Sequence, residues 1–278
     1  MKYWSLSLHA GLFLILFLSL LALFAPQLSS HDPNFIELQN RFSSPTFQQP
    51  MGADQNGRDI MSQVLFGASV SLTLAFAVVI VSVLIGLIVG CLSGYFGGWM
   101  DSFFMRLVDI VFAFPGFLLV LTLAAITQGG SLLHLVFIMA LTGWAGYARL
   151  IRGEVLHLKH KEYILSSEAL GANHQRKILV HLVPNLWPPI LVHASFGMAM
   201  TIVTEASLSF LGVGVPPETP SWGSLLNSSR HFLLEAPYMS IFPGLALLLT
   251  VLAFNLLGEG LQDQFSAQTK YKRIHDEP

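Results

Sequence analysis

The sequence predicts an all-α integral membrane protein with six transmembrane helices and a cytoplasmic helix–glycine–helix loop. Three observations predict it. Of 278 residues, 53% are hydrophobic and only 11% charged, whereas soluble domains carry about 25% charged residues. Mean hydropathy is +0.63, which makes lipid the solvent for most of the chain. Apolar runs near the roughly 20 residues that a bilayer-spanning helix needs recur six times. They lack the strict alternation of a membrane barrel strand.

The first run, Leu6–Ala25, is longer than the roughly 7–15 apolar residues of a signal peptide. Leu23 stands where a cleavage site wants a small residue, so the run reads as a retained anchor. The second, Ser69–Ser93, carries Ser82, Gly86 and Gly90, with Gly94 and Gly98 continuing the spacing of four. Small residues at that spacing let helix backbones approach closely in lipid. The third, Leu107–Ile126, starts beside Arg106 and Asp109, which can pair at i, i+3, and contains Pro115–Gly116, which invites a kink. Leu132–Ala148 is the fourth. The fifth, Ile190–Gly212, carries His193, Gly197, Thr201, Glu205 and Ser209 at intervals of four on an otherwise apolar helix. A carboxylate inside the apolar layer is costly unless it faces protein or water. Glu205 is therefore either a lining or gate residue, at the pathway or a subunit interface, or a structural carboxylate that fixes a helix contact. Met239–Leu257 is the sixth.

Lys and Arg placement sets the orientation. With both termini inside, the inner segments hold 11 of the 14 Lys and Arg residues, and the outer segments hold Arg41, Arg58 and Arg230. Pro26–Gly67 and Val215–Tyr238 then face outward. Trp222, in the proline-rich outer segment, is expected near the membrane interface. A division follows into 1–66 (anchor and extracytoplasmic segment), 67–264 (membrane core) and 265–278 (cytoplasmic tail).

Between the fourth and fifth runs lies a polar inner stretch, "SSEALGANHQRKILVHLVPN". A helix can run from Glu154 through Leu170. Gly171 suits the left-handed position that ends a helix, Asn173 can cap a second helix, and Pro184 should terminate it. Such a loop either only fixes topology or engages a partner.

"EYILSSEALGANHQRKILVHLVPN" resembles the EAA loop of ABC-importer permeases, with Gly171 at the motif's glycine and Pro184 at its terminal proline. Leu165 replaces the short motif's Glu, and Ser166–Ser167 its Ala pair. "MGADQNGRDIMSQVLFGASVSL", "GYFGGWMDSFFMRLVDIVFAFP", "EASLSFLGVGVPPETPSWG" and "FNLLGEGLQDQ" resemble, in order, the C-type permease of dipeptide, oligopeptide or nickel importers. Gln262 and Ser266–Ala267 stand where that family often has Arg and Asp-Pro.

The resemblance implies a coupling loop of Leu165, Ser166, Ser167, Glu168, Ala169, Leu170, Gly171 and Pro184, docking on an ATPase. It implies a second homologous permease, two ATPase subunits, an extracytoplasmic binding protein and a bacterial inner membrane. The implied cargo is a dipeptide or oligopeptide, or alternatively nickel or a metal chelate.

The residues exclude several other functions. No lysine follows a glycine, so a GxxxxGK[ST] phosphate loop is ruled out. The chain is expected to bind no cofactor, ATP and Mg lying on partner subunits. The single cysteine, Cys91, precludes an internal disulfide. His157 and His160 read as a solvated helix face, not a metal site. A net charge of −2 gives no reason to expect nucleic acid. An intramembrane enzyme would need converging polar groups, but His193 and Glu205 are about 18 Å apart along one helix. A passive channel would not need the inner loop.

Overall fold

A computed structural model describes residues 6–29, 31–47, 49–127, 131–216 and 218–276, side chains of 267–276 excepted. Its long helices are α1 (Leu6–Leu23), α2 (Ile60–Phe96), α3 (Gly98–Phe112), α4 (Gly116–Ile126), α5 (Leu132–Leu158), α6 (Glu162–Ala169), α7 (His174–Phe210), α8 (Trp222–Ser229) and α9 (Tyr238–Asp276). α1, α2, α5, α7 and α9 are each long and apolar enough to cross a membrane. No strand occurs among the described residues, only an isolated bridge between Ala53 and Asp59.

The expected third span is broken. α3 and α4 meet at 80°, counting as a sixth crossing only if taken together. The cause is local. Pro115 has no N–H to continue the α3 ladder and pushes Phe114 out of the helical region. The expected Arg106–Asp109 pair does not form either. Asp109 instead binds Arg149 of α5 at 2.6 Å.

α2 is the central element. Asp59 caps it, accepting from Ser62 N–H at 2.8 Å. Its 37 residues span about 55 Å, so it projects beyond the apolar layer. Gly86, Gly90 and Gly94 lie against α5: a Cβ on Gly90 would sit 2.8 Å from Ala148 O and Ile151 Cβ, and one on Gly94 3.0 Å from Arg152 O. Gly98 does not belong to this row. α2 has already ended, Gly97 and Gly98 have φ of +66° and +57°, and nothing lies within 4 Å of a Cβ built on Gly98. It serves the turn into α3. There Asp101 takes Arg152 of α5 in a two-pronged ion pair and accepts from Ser93 of α2, tying three helices together.

α1 lies on α9 through a second glycine contact that the sequence reading missed. A Cβ on Gly11 would be 2.5 Å from Leu257 N, and one on Gly260 2.5 Å from Leu8 Cα.

The segments before α2 and around α8 form a cap at one end of the bundle. Phe42 packs on Phe232 with centroids 5.0 Å apart, and Asn34 donates to Glu218 O at 3.2 Å. Asp54 folds its own loop, accepting from Asn56 and Arg58 N–H. Trp222 is not at an interface. It is 1% exposed and donates to Val64 O at 3.2 Å, because Ser221 caps α8 and turns the indole inward.

Candidate functional site

The loop at the other end of the bundle differs from expectation at two points. α5 stops at Leu158, and α6 restarts at Glu162 after a turn in which Lys159 Nζ donates to Gly94 O at 3.1 Å. The expected single helix from Glu154 to Leu170 is thus two. Nor does Pro184 terminate its helix. Residues Lys177–Leu182 form a π turn, after which Pro184 lies in the first turn of the following α segment. A first-turn proline costs no hydrogen bond, and a π turn shifts the ladder by one residue. The chain therefore continues into the membrane without a break.

Gly171 behaves as read. Its φ is +81°. Its N–H binds Glu168 O at 2.9 Å, and that of Ala172 binds Ser167 O at 3.0 Å. These bonds close α6 in a Schellman motif, which satisfies the carbonyls a helix end leaves free. Asn173 caps the next helix, accepting from Arg176 N–H at 2.8 Å.

The loop is anchored underneath and apolar on top. Ile164 and Leu182 are buried. Lys177, also buried, reaches Glu168 at 3.3 Å and the Tyr95 ring of α2 at 5.7 Å. Tyr95 OH meets His174 Nδ1 at 2.7 Å. Outward stand Ser166, Ala169, Leu165 and Leu170, the last 89% exposed.

The row on α7 divides in two. His193, Gly197 and Thr201 line a cleft of about 470 Å³ between α2, α5, α7 and the α3–α4 break. Glu205 and Ser209 do not reach it. Positions four apart drift about 40° per step on a 3.6-residue helix, so Ser209 points about 160° from His193. Glu205 is fully buried within the chain and lies outside the cleft lining. It is the structural carboxylate of the two readings. Ser71 of α2 donates to Oε2 at 3.0 Å, Ser209 to Oε1 at 2.7 Å, and Ser221 faces the same group. Ser209 Oγ in turn accepts from Val215 N–H at 3.2 Å. One carboxylate thus seats the cap segment on two membrane helices.

The family model described as "Binding-protein-dependent transport system inner membrane component" matches residues 82–271. That stretch holds the π-continued loop, most of the cleft lining, and Glu205 with its partner Ser209. The chain belongs to this family. Residues 9–50 match a second model, "N-terminal TM domain of oligopeptide transport permease C". The permease is 40% identical over 266 residues to the glutathione transport system permease protein GsiD of Escherichia coli O6:K15:H31, covering 95% of this chain and 87% of that one. It is equally similar over 262 residues to the GsiD of Pectobacterium atrosepticum, at 94% and 86% coverage. It is thus an inner-membrane, multi-pass permease subunit of an ABC importer, not itself an enzyme. Binding-protein-dependent transport implies substrate-binding and ATPase partners.

Sequence reasoning missed Lys177, Tyr95 and Tyr147, which brace the loop or floor the cleft. The signal for Tyr147 was present: it lies beside Gly146 in an apolar span, where a hydroxyl needs a reason.

Proposed function

We propose that this permease imports dipeptides or oligopeptides, forming half of the pathway with a second, homologous permease. Two ATPases bind the cytoplasmic face and an extracytoplasmic protein delivers cargo to the cap. The chain binds no cofactor; ATP and Mg sit on the ATPases. Leu165–Gly171 is the coupling element, and Pro184 lies where its helix enters the membrane.

The observation that carries the cargo reading is the cleft's chemistry. Its described lining offers hydroxyls, aromatic rings and a single imidazole, with no charged side chain. That set suits neutral amides better than a bare divalent cation, which calls for several carboxylate, imidazole or thiolate ligands. The glutathione relatives point the same way.

The test is a reconstituted complex in vesicles, supplied with loaded binding protein. Glutathione or another small peptide should be taken up and should stimulate ATP hydrolysis; uptake of Ni²⁺ alone would overturn the cargo reading. In the same assay Gly171→Val should lose most of the stimulation at normal protein level. Valine at φ +81° is strained by about 1–3 kcal/mol, although nothing lies within 4 Å of its Cβ. Gly171→Asn, which tolerates this conformation, should retain coupling. Full stimulation by the valine variant would remove Gly171 as the hinge.

The Lys and Arg bias supports cytoplasmic termini. Reporter fusions at Asn227 and Lys272 should report opposite compartments, and agreement between them would refute the topology.

A further inference from the structure

The cleft shares a wall with a second cavity. That cavity, about 910 Å³, opens between Glu154, Asn185, Pro188 and Gln262, at the coupling-loop end of α5, α7 and α9. His193 and Phe196 line both. The Tyr147 ring meets the His193 ring edge-on, with centroids 4.9 Å apart.

At this wall two hydroxyls stand out. Tyr147 is 5% exposed and Ser82 1% exposed. Neither Tyr147 Oη nor Ser82 Oγ has a hydrogen-bond partner among the described residues. Buried polar groups are normally paired, and one left without a partner is costly.

Each polar head also lies opposite a glycine. A Cβ on Gly197 would collide with Tyr147 Oη, one on Gly143 would lie 2.7 Å from Ser82 Oγ, and one on Gly146 3.6 Å from His193 Nε2. Gly197 and Gly143 thus keep hydrocarbon off the two hydroxyls, while Gly146 meets His193 at ordinary contact distance.

We propose that Tyr147, Ser82 and His193 form a hydrogen-bonding site for the backbone of a short peptide at the wall between the two cavities. This rests on the peptide reading of the permease. A hydroxyl both donates and accepts, and a neutral imidazole carries one site of each kind. A peptide unit offers one N–H and one C=O, so the match is to the backbone and not to a particular side chain. With no charged group in the described lining of the first cleft, the site would pass peptides of varied sequence.

The experiment compares a tripeptide with its backbone N-methylated analogue in the reconstituted complex, using one binding-protein preparation throughout. The readout is the ratio of the two uptake rates, which cancels differences in protein amount. The wild-type complex should favour the unmethylated peptide. Tyr147→Phe, which removes only the hydroxyl, should shrink that preference by about threefold to tenfold, the worth of one hydrogen bond. Ser82→Ala should do the same. A wild-type complex that carries peptides, with a ratio unchanged in both variants, would overturn the site. A wild-type complex that carries no peptide would instead overturn the cargo reading, and this ligand with it.

Discussion

Gly90→Leu should abolish accumulation of the folded permease in the membrane. In lipid there is no hydrophobic drive to hold α2 and α5 together, so their association depends on close backbone packing. A side chain at residue 90 has to displace Ala148 O and Ile151 Cβ, each only 2.8 Å from where its Cβ would be. The first of these is backbone and cannot rotate away. Overpacking by even a methylene or two costs about 1–3 kcal/mol, and a leucine adds far more at a contact with no slack. Separation of α2 from α5 would also open the cleft floor, where Ser82 and Tyr147 stand on the facing helices. The measurement is membrane-fraction yield and monodispersity after solubilisation. Gly153→Leu is the control, because nothing lies within 4 Å of a Cβ there. Wild-type yield for Gly90→Leu would mean that the two helices are not in contact at this depth.

Glu205→Leu should give the second-largest effect, a destabilisation on the order of 3 kcal/mol from hydroxyls stranded in the interior. Ser71 and Ser209 lose their acceptor, and Ser209 is also what holds Val215 N–H. The damage should therefore appear in the cap. Limited proteolysis is expected to begin within residues 211–221, and the thermal midpoint in detergent should fall. Glu205→Gln keeps an acceptor oxygen and adds donors that the serine hydroxyls can accept, so it should lose much less. Equal stability of the leucine and glutamine variants would show that the cluster does not hold the cap.

Five of the six expected spans were legible because each depends on one quantity, apolar length, that the chain carries locally; the third is broken at 80° between α3 and α4. Gly171 was legible for a related reason: a left-handed residue between two polar helix ends has few alternatives to glycine. Elements that depend on two distant parts of the chain were not. Asp109 could be paired with Arg106 from spacing alone, but its partner Arg149 lies 40 residues away. Pro184 looked like a terminator because nothing local announces a π turn ahead of it. The row on α7 was correct in composition and wrong in direction. Intervals of four appear straight on paper but wind around the helix, so that His193 belongs to the cleft and Glu205 to the interior. Gly98 fitted a spacing whose helix had already ended.

The unbroken course of α7 has a mechanical consequence. Glu205, hydrogen-bonded to Ser71 of the central helix, is a natural fulcrum. At 1.5 Å per residue, the inner-loop end of the helix at His174 lies about 46 Å from it and His193 about 18 Å. Pro188 and Pro189 lie inside this helix between the loop and His193, and each removes a backbone bond, so for a tilt about Glu205 a displacement of roughly 5 Å at the loop reaches the cleft wall as at most about 2 Å. The helix would then work as a reduction gear, converting a large swing at its loop end into a small movement at the wall. The π turn at Lys177–Leu182 lies at the far end of the long arm, where any give in the shaft would take up the stroke before it arrived.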